Sequence, residues 1–218
     1  MIARSVSLFL YTCTLLFSSA LWAVPASSDQ IDRLMEADHS REILGNVSTY
    51  VIQTVMKEVP QQLAQAIGAT TPQQQTELEA ITINLAASLA KTLAWERMQP
   101  LYRQLYAREL QADDATVLLY FYRSAGGQLL LDKLSEVSRN PDLLQNQDAL
   151  TDQIVRELAA NPQVALEFER FESEHQVTRK YMQLFLASIE VMKTQIEPVI
   201  QEQLTRDLME WMSRQRGG

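Results

Sequence analysis

Residues 118–134 read LLYFYRSAGGQLLLDKL. A dense apolar and aromatic run is followed by two adjacent glycines and then by a second apolar run. Between Asp113 and Ser124, the side chains of Val117, Leu118, Leu119, Phe121 and Tyr122 cannot share one stripe, so this segment reads as a helix packed on more than one face. The glycines read as a corner. Either Gly126 or Gly127 ends the helix in the left-handed conformation that spares a Cβ clash, and the other lets backbones approach closely. Gln128 then starts a second helix, with Leu130, Leu131, Leu134 and Val137 as its buried set.

The surrounding sequence carries the same signal. Gly45, Gly68, Gly126 and Gly127 are the only glycines before the terminal pair, and Gln, Glu, Leu, Ala and Met dominate. That composition favours helix and argues against a nucleotide-binding α/β fold. A short helix is expected over Asp29–Glu36 with Ser28 as its N-cap, then a break at Asp38-His39-Ser40. Ile43, Val47, Tyr50 or Val51, Thr54, Val55 and Val59 mark the next helix, with Pro60 and Gly68 beyond it. Thr71 caps a third helix with Pro72 at its first position. Leu78, Ile81, Leu85, Leu89, Leu93 and Met98 trace one side of that pattern, and Ala86, Ala87, Ala90 and Ala94 keep much of the rest small. This makes it the expected central helix, closed by Trp95. Pro100 should bend or break the following run near Gln99. After Asn140-Pro141 a helix fits Leu150, Ile154 and Leu158; Asn161-Pro162 opens a short one over Val164–Phe171. The longest pattern runs from about Gln176 to the C-terminus through Tyr181, Phe185, Ile189, Met192, Ile196, Val199, Leu204, Leu208 and Trp211, with a kink expected at Pro198. The fold class is all-α: a single-domain bundle of about seven to nine helices, several bent near prolines.

The N-terminus reads separately. Arg4 precedes an uncharged, apolar stretch from Ser5 to Leu21, and small residues follow in ALWAVPASS. This is the layout of a secretory signal peptide over residues 1–23, with cleavage after Ala23 or after Ala26. The alternative is an uncleaved leader that anchors the chain in the inner membrane, since about 20 apolar residues suffice to span. Cys13 is the only cysteine, so the exported chain has no disulfide, thiol nucleophile or cysteine metal ligand. A single helical domain over 27–218 must rely on its core. The formal charge of −8 has no basic block to offset it. Phosphate backbones are repelled by such a surface, which excludes nucleic acid as a natural partner. Stable membrane insertion is not expected after cleavage. Asn46-Val47-Ser48 fits a glycosylation acceptor but sits in a helical pattern.

The segment from Trp95 through Leu101, Tyr106, Leu110 and Leu118 to FYRSAGGQ at 121–128 resembles the DUF2059 family of exported bacterial proteins. That family writes its corner FYxSPxGQ. Phe121, Tyr122, Ser124, Gly127 and Gln128 match, and Ala125 stands where the family has proline. At the preceding helix start, Gln111 replaces the common capping Thr. The similar region spans 95–137. The resemblance implies export to the periplasm and an all-helical fold; the family has no established activity, so it implies no catalytic residue or cofactor.

No catalytic, cofactor-binding or metal-ligating residue is assigned from the sequence. EFERFESEH at 167–175 is the one cluster with a metal-like composition, since Glu172 and His175 share a helix face. Glu167, Glu169 and Glu174 point elsewhere, and a site needs further ligands. The pattern is that of a solvated face opposite Phe168 and Phe171. Tyr120, Tyr122, Trp95 and Tyr106 read as core with bonded polar tips rather than as a groove. Two functions from different classes remain. The first is a non-enzymatic envelope module binding a protein or peptide along a helical groove, motivated by Met182, Met192, Met209 and Met212. The second is a hydrolase of an envelope polymer, which requires a concave cleft with convergent polar groups.

Overall fold

The computed structural model describes residues 24–68, 71–139 and 156–216. The leader stretch with Cys13 lies outside them, as does most of the helix expected to carry Leu150 and Ile154. Eight helices fall wholly within the described residues: α1 (Ser28–Ala37), α2 (Ser40–Ile67), α3 (Pro72–Thr92), α4 (Trp95–Glu109), α5 (Ala112–Arg123), α6 (Ala125–Arg139), α7 (Pro162–His175) and α8 (Val177–Arg216). Residues 156–160 are helical as well. The architecture is an all-α bundle.

Helix boundaries follow local chemistry. Ser27, rather than Ser28, caps α1: its hydroxyl accepts from the Gln30 N–H while the Gln30 side chain returns to the Ser27 N–H, a complete capping box. Thr71 and Gln74 do the same for α3, with Pro72 at the first position. The predicted stop before Pro60 does not occur. Helix α2 continues through it to Ile67 and ends on Gly68, which takes the left-handed conformation at φ 66°. Pro100 and Pro198 likewise lie inside α4 and α8. A proline removes one hydrogen bond and abuts one carbonyl. Pro100 and Pro198 both face solvent, where water can take the freed carbonyl. The real break upstream of Pro100 is at Leu93–Ala94, so Trp95 opens α4 rather than closing α3.

The centre of the bundle is α5, not α3. Leu118, Phe121 and Tyr122 are fully buried, and α1, α6 and α8 all pack on this helix. Phe168 and Phe171 of α7 present ring edges to Phe121, with centroids 5.8 and 5.5 Å away, and Tyr181 of α8 meets Tyr122 at 5.9 Å. Helix α3 instead packs on one side, against α2 and α8. Ala87 and Ala90 face solvent, so their small size brings no neighbouring helix close.

The glycine corner is built differently from its sequence expectation. Neither Gly126 nor Gly127 has positive φ. Helix α5 stops at Ser124, which is extended at φ −77°, ψ 160°, and both glycines lie in the first turn of α6. Ser124 caps that turn. Its hydroxyl accepts from the Gly127 N–H at 3.1 Å and its carbonyl from the Gln128 N–H at 2.9 Å. The Gln128 amide reaches back and donates to the Tyr122 carbonyl, satisfying an end-of-helix acceptor. Gly127 is required by proximity: a Cβ there would sit 1.9 Å from the Phe121 carbonyl oxygen.

Candidate functional site

The strongest polar feature of the interior lies at the α1–α2 turn. Asp38 is buried. One of its carboxylate oxygens accepts from the Ser40 N–H at 2.8 Å and from the Ser40 hydroxyl; the other accepts from the Tyr106 hydroxyl at 2.7 Å. Ser40 Oγ and Tyr106 Oη are 3.1 Å apart. Burial pushes the Asp38 carboxyl above the usual carboxylate range, against the opposing pull of the Ser40 and Tyr106 hydrogen bonds. Burial first, and the Asp38 charge second, hold the Tyr106 phenol well above its ordinary value. The Tyr122 hydroxyl is buried nearby with no hydrogen-bond partner among the described residues. The space left beside the carboxylate, lined also by Tyr181 and Ser188, is about 10 Å³, at the lower limit for one water. No substrate fits there. The cluster holds the turn in place.

On the outer side of that turn lies an open groove of about 840 Å³. Helices α1, α2 and α4 form its walls. Met35 and Trp95 supply an apolar strip, surrounded by Asp32, Glu36, His39, Arg41, Glu42, Asn46, Gln99 and Arg103. Two of the carboxylates are occupied. Arg103 pairs with Asp32 across α4 and α1. Glu42 accepts from Ser135 Oγ at 2.6 Å and pairs with Arg139; these contacts, Ser135 first, hold its carboxyl below the usual range. Glu36, Arg41 and Gln99 have no hydrogen-bond or ion-pair partner among the described residues. His39 sits in the left-handed region at φ 57°, ψ 26°, and its imidazole makes no capping bond. Gly45 lines the groove in mid-helix, where a Cβ would meet nothing within 4 Å.

No family model matches the chain, and no match is found among curated proteins or solved structures.

The residues singled out from sequence fall elsewhere. Glu172 accepts from the Thr178 N–H at 2.9 Å, where it satisfies a free donor at the start of α8. His175 faces Glu174 at 3.7 Å. Among the described residues, no group of three or more His, Cys, Asp or Glu is placed to hold a metal ion. Asn46 of the glycosylation tripeptide is half-buried and donates to Ser138 Oγ at 3.0 Å. Tyr106 and Tyr122 are core, Tyr120 is exposed, and only Trp95 of the four aromatics lines the groove. Met192 is buried, whereas Met182, Met209 and Met212 are exposed without forming one surface with the groove. Glu36, His39, Arg41 and Gly45 were not legible as a site. The one available signal was a histidine in an Asp-His-Ser break between two well-formed helices.

No helix among the described residues is long and apolar enough to cross a membrane.

Proposed function

We propose that this chain is a non-enzymatic binding module of the bacterial envelope, and that its α1–α2–α4 groove receives an extended segment of a protein or peptide. The observation carrying this reading is one concave surface that combines an apolar strip, Met35 and Trp95, with unpartnered Glu36, Arg41 and Gln99. Docking of an amphipathic helix needs a continuous apolar trough for its repeated anchors, and two apolar side chains do not make one. An extended segment offers main-chain donors and acceptors to Glu36, Gln99 and Arg41 and one apolar side chain to the strip. With Asp32 and Glu42 already paired, Glu36 is the carboxylate free to take a basic side chain, and the net charge of −8 draws cationic segments at a distance. Catalysis is the weaker reading. Hydrolysis by paired carboxylates needs two of them free to act on one bond, and the groove leaves Glu36 alone.

The test is selection of a random peptide library on the wild-type chain and on Gly45→Trp, which fills the groove from an open position. Peptides pairing a basic with an apolar residue should be enriched on the wild type and lost on the variant. Equal binding to both, or no enrichment, overturns the reading.

Export to the periplasm and membership of the DUF2059 family belong to the same proposal. The FYRSAGGQ residues that carry the resemblance each have a task at the α5–α6 corner. For the leader, cleavage after Ala23 is favoured over cleavage after Ala26. The Val24 carbonyl accepts from the Ala112 N–H at 2.8 Å, and the Ala26 N–H donates to the Leu110 carbonyl at 3.2 Å; a cut after Ala26 discards both. Intact mass of protein from the envelope should place the N-terminus at Val24. Ser27 would reject this choice, and Met1 would reject cleavage altogether.

A further inference from the structure

We infer that His39 is a ligand-contacting residue of the groove, presenting its imidazole to main-chain groups of the bound segment; this rests on the binding reading above. The inference starts from a mismatch between backbone and side chain. Position 39 is held in the left-handed region, which glycine occupies freely and which histidine occupies only under some strain. The backbone there is fixed from both sides. The Asp38 N–H donates to the Leu34 carbonyl, and the His39 carbonyl accepts from the N–H groups of Glu42 and Ile43. Asp38 clamps the turn from beneath through Ser40 and Tyr106. The fold therefore specifies the conformation but makes no capping use of the imidazole, and His39 lines the groove together with Glu36 and Arg41. A strained residue, over-determined by its surroundings and with its side chain in a cleft, is what a preorganised contact looks like. A neutral imidazole offers one donor and one acceptor, matching the alternating groups of an extended main chain.

The competing explanation is that histidine merely tolerates this turn. Replacement by glycine separates the two, because His39→Gly removes the strain and the imidazole together. The probe is the tightest peptide selected from the library on the wild-type chain, measured by titration calorimetry against the wild type, His39→Gly and Gly45→Trp. His39→Gly should keep or raise the unfolding midpoint while weakening binding by about fivefold or more, the scale of one lost hydrogen bond. Proton NMR supplies a second readout, since the chain has two histidines. On adding peptide to the wild type, the imidazole signal of His39 should move and that of His175 should not. Unchanged affinity in His39→Gly, or a His39 signal that stays still, overturns this inference while leaving the groove intact. A peptide that binds Gly45→Trp as well as it binds the wild type overturns the groove reading itself.

Discussion

Two parts of the bundle use the same helices to different effect. Around α5, buried side chains from α1, α2, α4, α5, α6 and α8 join one large cluster. Where α2 and α8 run on past that body, their main partner is α3. The buried cluster there is Leu78, Ile81 and Trp211, with Leu63, Ala64, Leu204 and Leu208 partly covered. Met56, Ile83, Met209 and Met212 lie exposed on the same three helices. The apolar stripe of α8 looks alike in both parts. What differs is the number of neighbours: a helix within the body is covered on several faces, whereas each of three helices in an arm covers about one. Stability should be unevenly distributed as a result, with the arm the first part to open.

The largest expected effect is in the body. Gly127→Ala places a Cβ 1.9 Å from the Phe121 oxygen and 2.9 Å from the Tyr122 Cα. Both are backbone atoms, so relief requires the α5–α6 corner to part beside the most buried residues of the protein. Overpacking of this kind should cost about 3 kcal/mol or more, read as a lower denaturant midpoint. An unchanged midpoint would mean that the corner yields freely and that α5 is not the rigid centre.

The arm is tested at Trp211, which is buried and whose indole donates to Glu77 at 2.7 Å. Trp211→Ala removes the largest side chain of the small cluster, a change worth about 3 kcal/mol in a well-packed core. Hydrogen exchange should accelerate across residues 72–84 and 200–216, and much less in α5 and α6. Equal acceleration in α5 and α6 would make arm and body one cooperative unit and remove the contrast.

Asp38 sharpens the comparison from the polar side, because here the body buries a carboxylate that accepts from three donors. Its folded pKa is raised above the unfolded value. Between those two values the folded protein binds more protons, so this group's contribution falls as pH rises through the window and is greatest below it. That is opposite in sign to Glu42, whose carboxyl is held low. Asp38→Asn keeps an acceptor for Ser40 and turns the other atom into a donor toward Tyr106. Relative to wild type, its stability should rise from acid to neutral pH, because it lacks the titrating group whose contribution falls over that range. A difference curve flat with pH would show that Asp38 does not titrate as described. Asp38→Ala instead takes the shared acceptor away from the Ser40 N–H and from the Ser40 and Tyr106 hydroxyls and should lose about 1 to 3 kcal/mol, most at acid pH, where this group stabilises the wild type best.

Helix identity was legible because it depends on patterns within ten to twenty residues. The cap at Thr71, the boundary at Asn161-Pro162 and the multi-sided burial of the segment around Phe121 are all local. The α5–α6 corner was located but misassigned. A glycine needed for a positive φ and one needed because a Cβ would run into another stretch of backbone look identical in sequence. The choice of α3 as central failed for a related reason: an alanine-rich face permits close approach without requiring it. The groove was not legible at all. Asp38 and Tyr106 are 68 residues apart, and Gly45, Arg41 and Trp95 converge only when α1, α2 and α4 are placed.

Gly45 provides the smallest effect and the most direct contrast with Gly127. Both glycines are helical and neither has positive φ. At Gly127 a Cβ meets backbone; at Gly45 it meets nothing within 4 Å. The fold therefore gives no reason for glycine at 45, and glycine in a helix interior is about 1 kcal/mol less favourable than alanine. Gly45→Ala should raise stability by about that amount, opposite in sign to Gly127→Ala. If the groove is kept open for a ligand lying close to α2, the same substitution should weaken peptide binding slightly, and Gly45→Trp should abolish it. A gain in stability with no loss of binding along the series Ala, Leu, Trp would leave Gly45 without a role in the groove, and would move the search for the binding surface to another face.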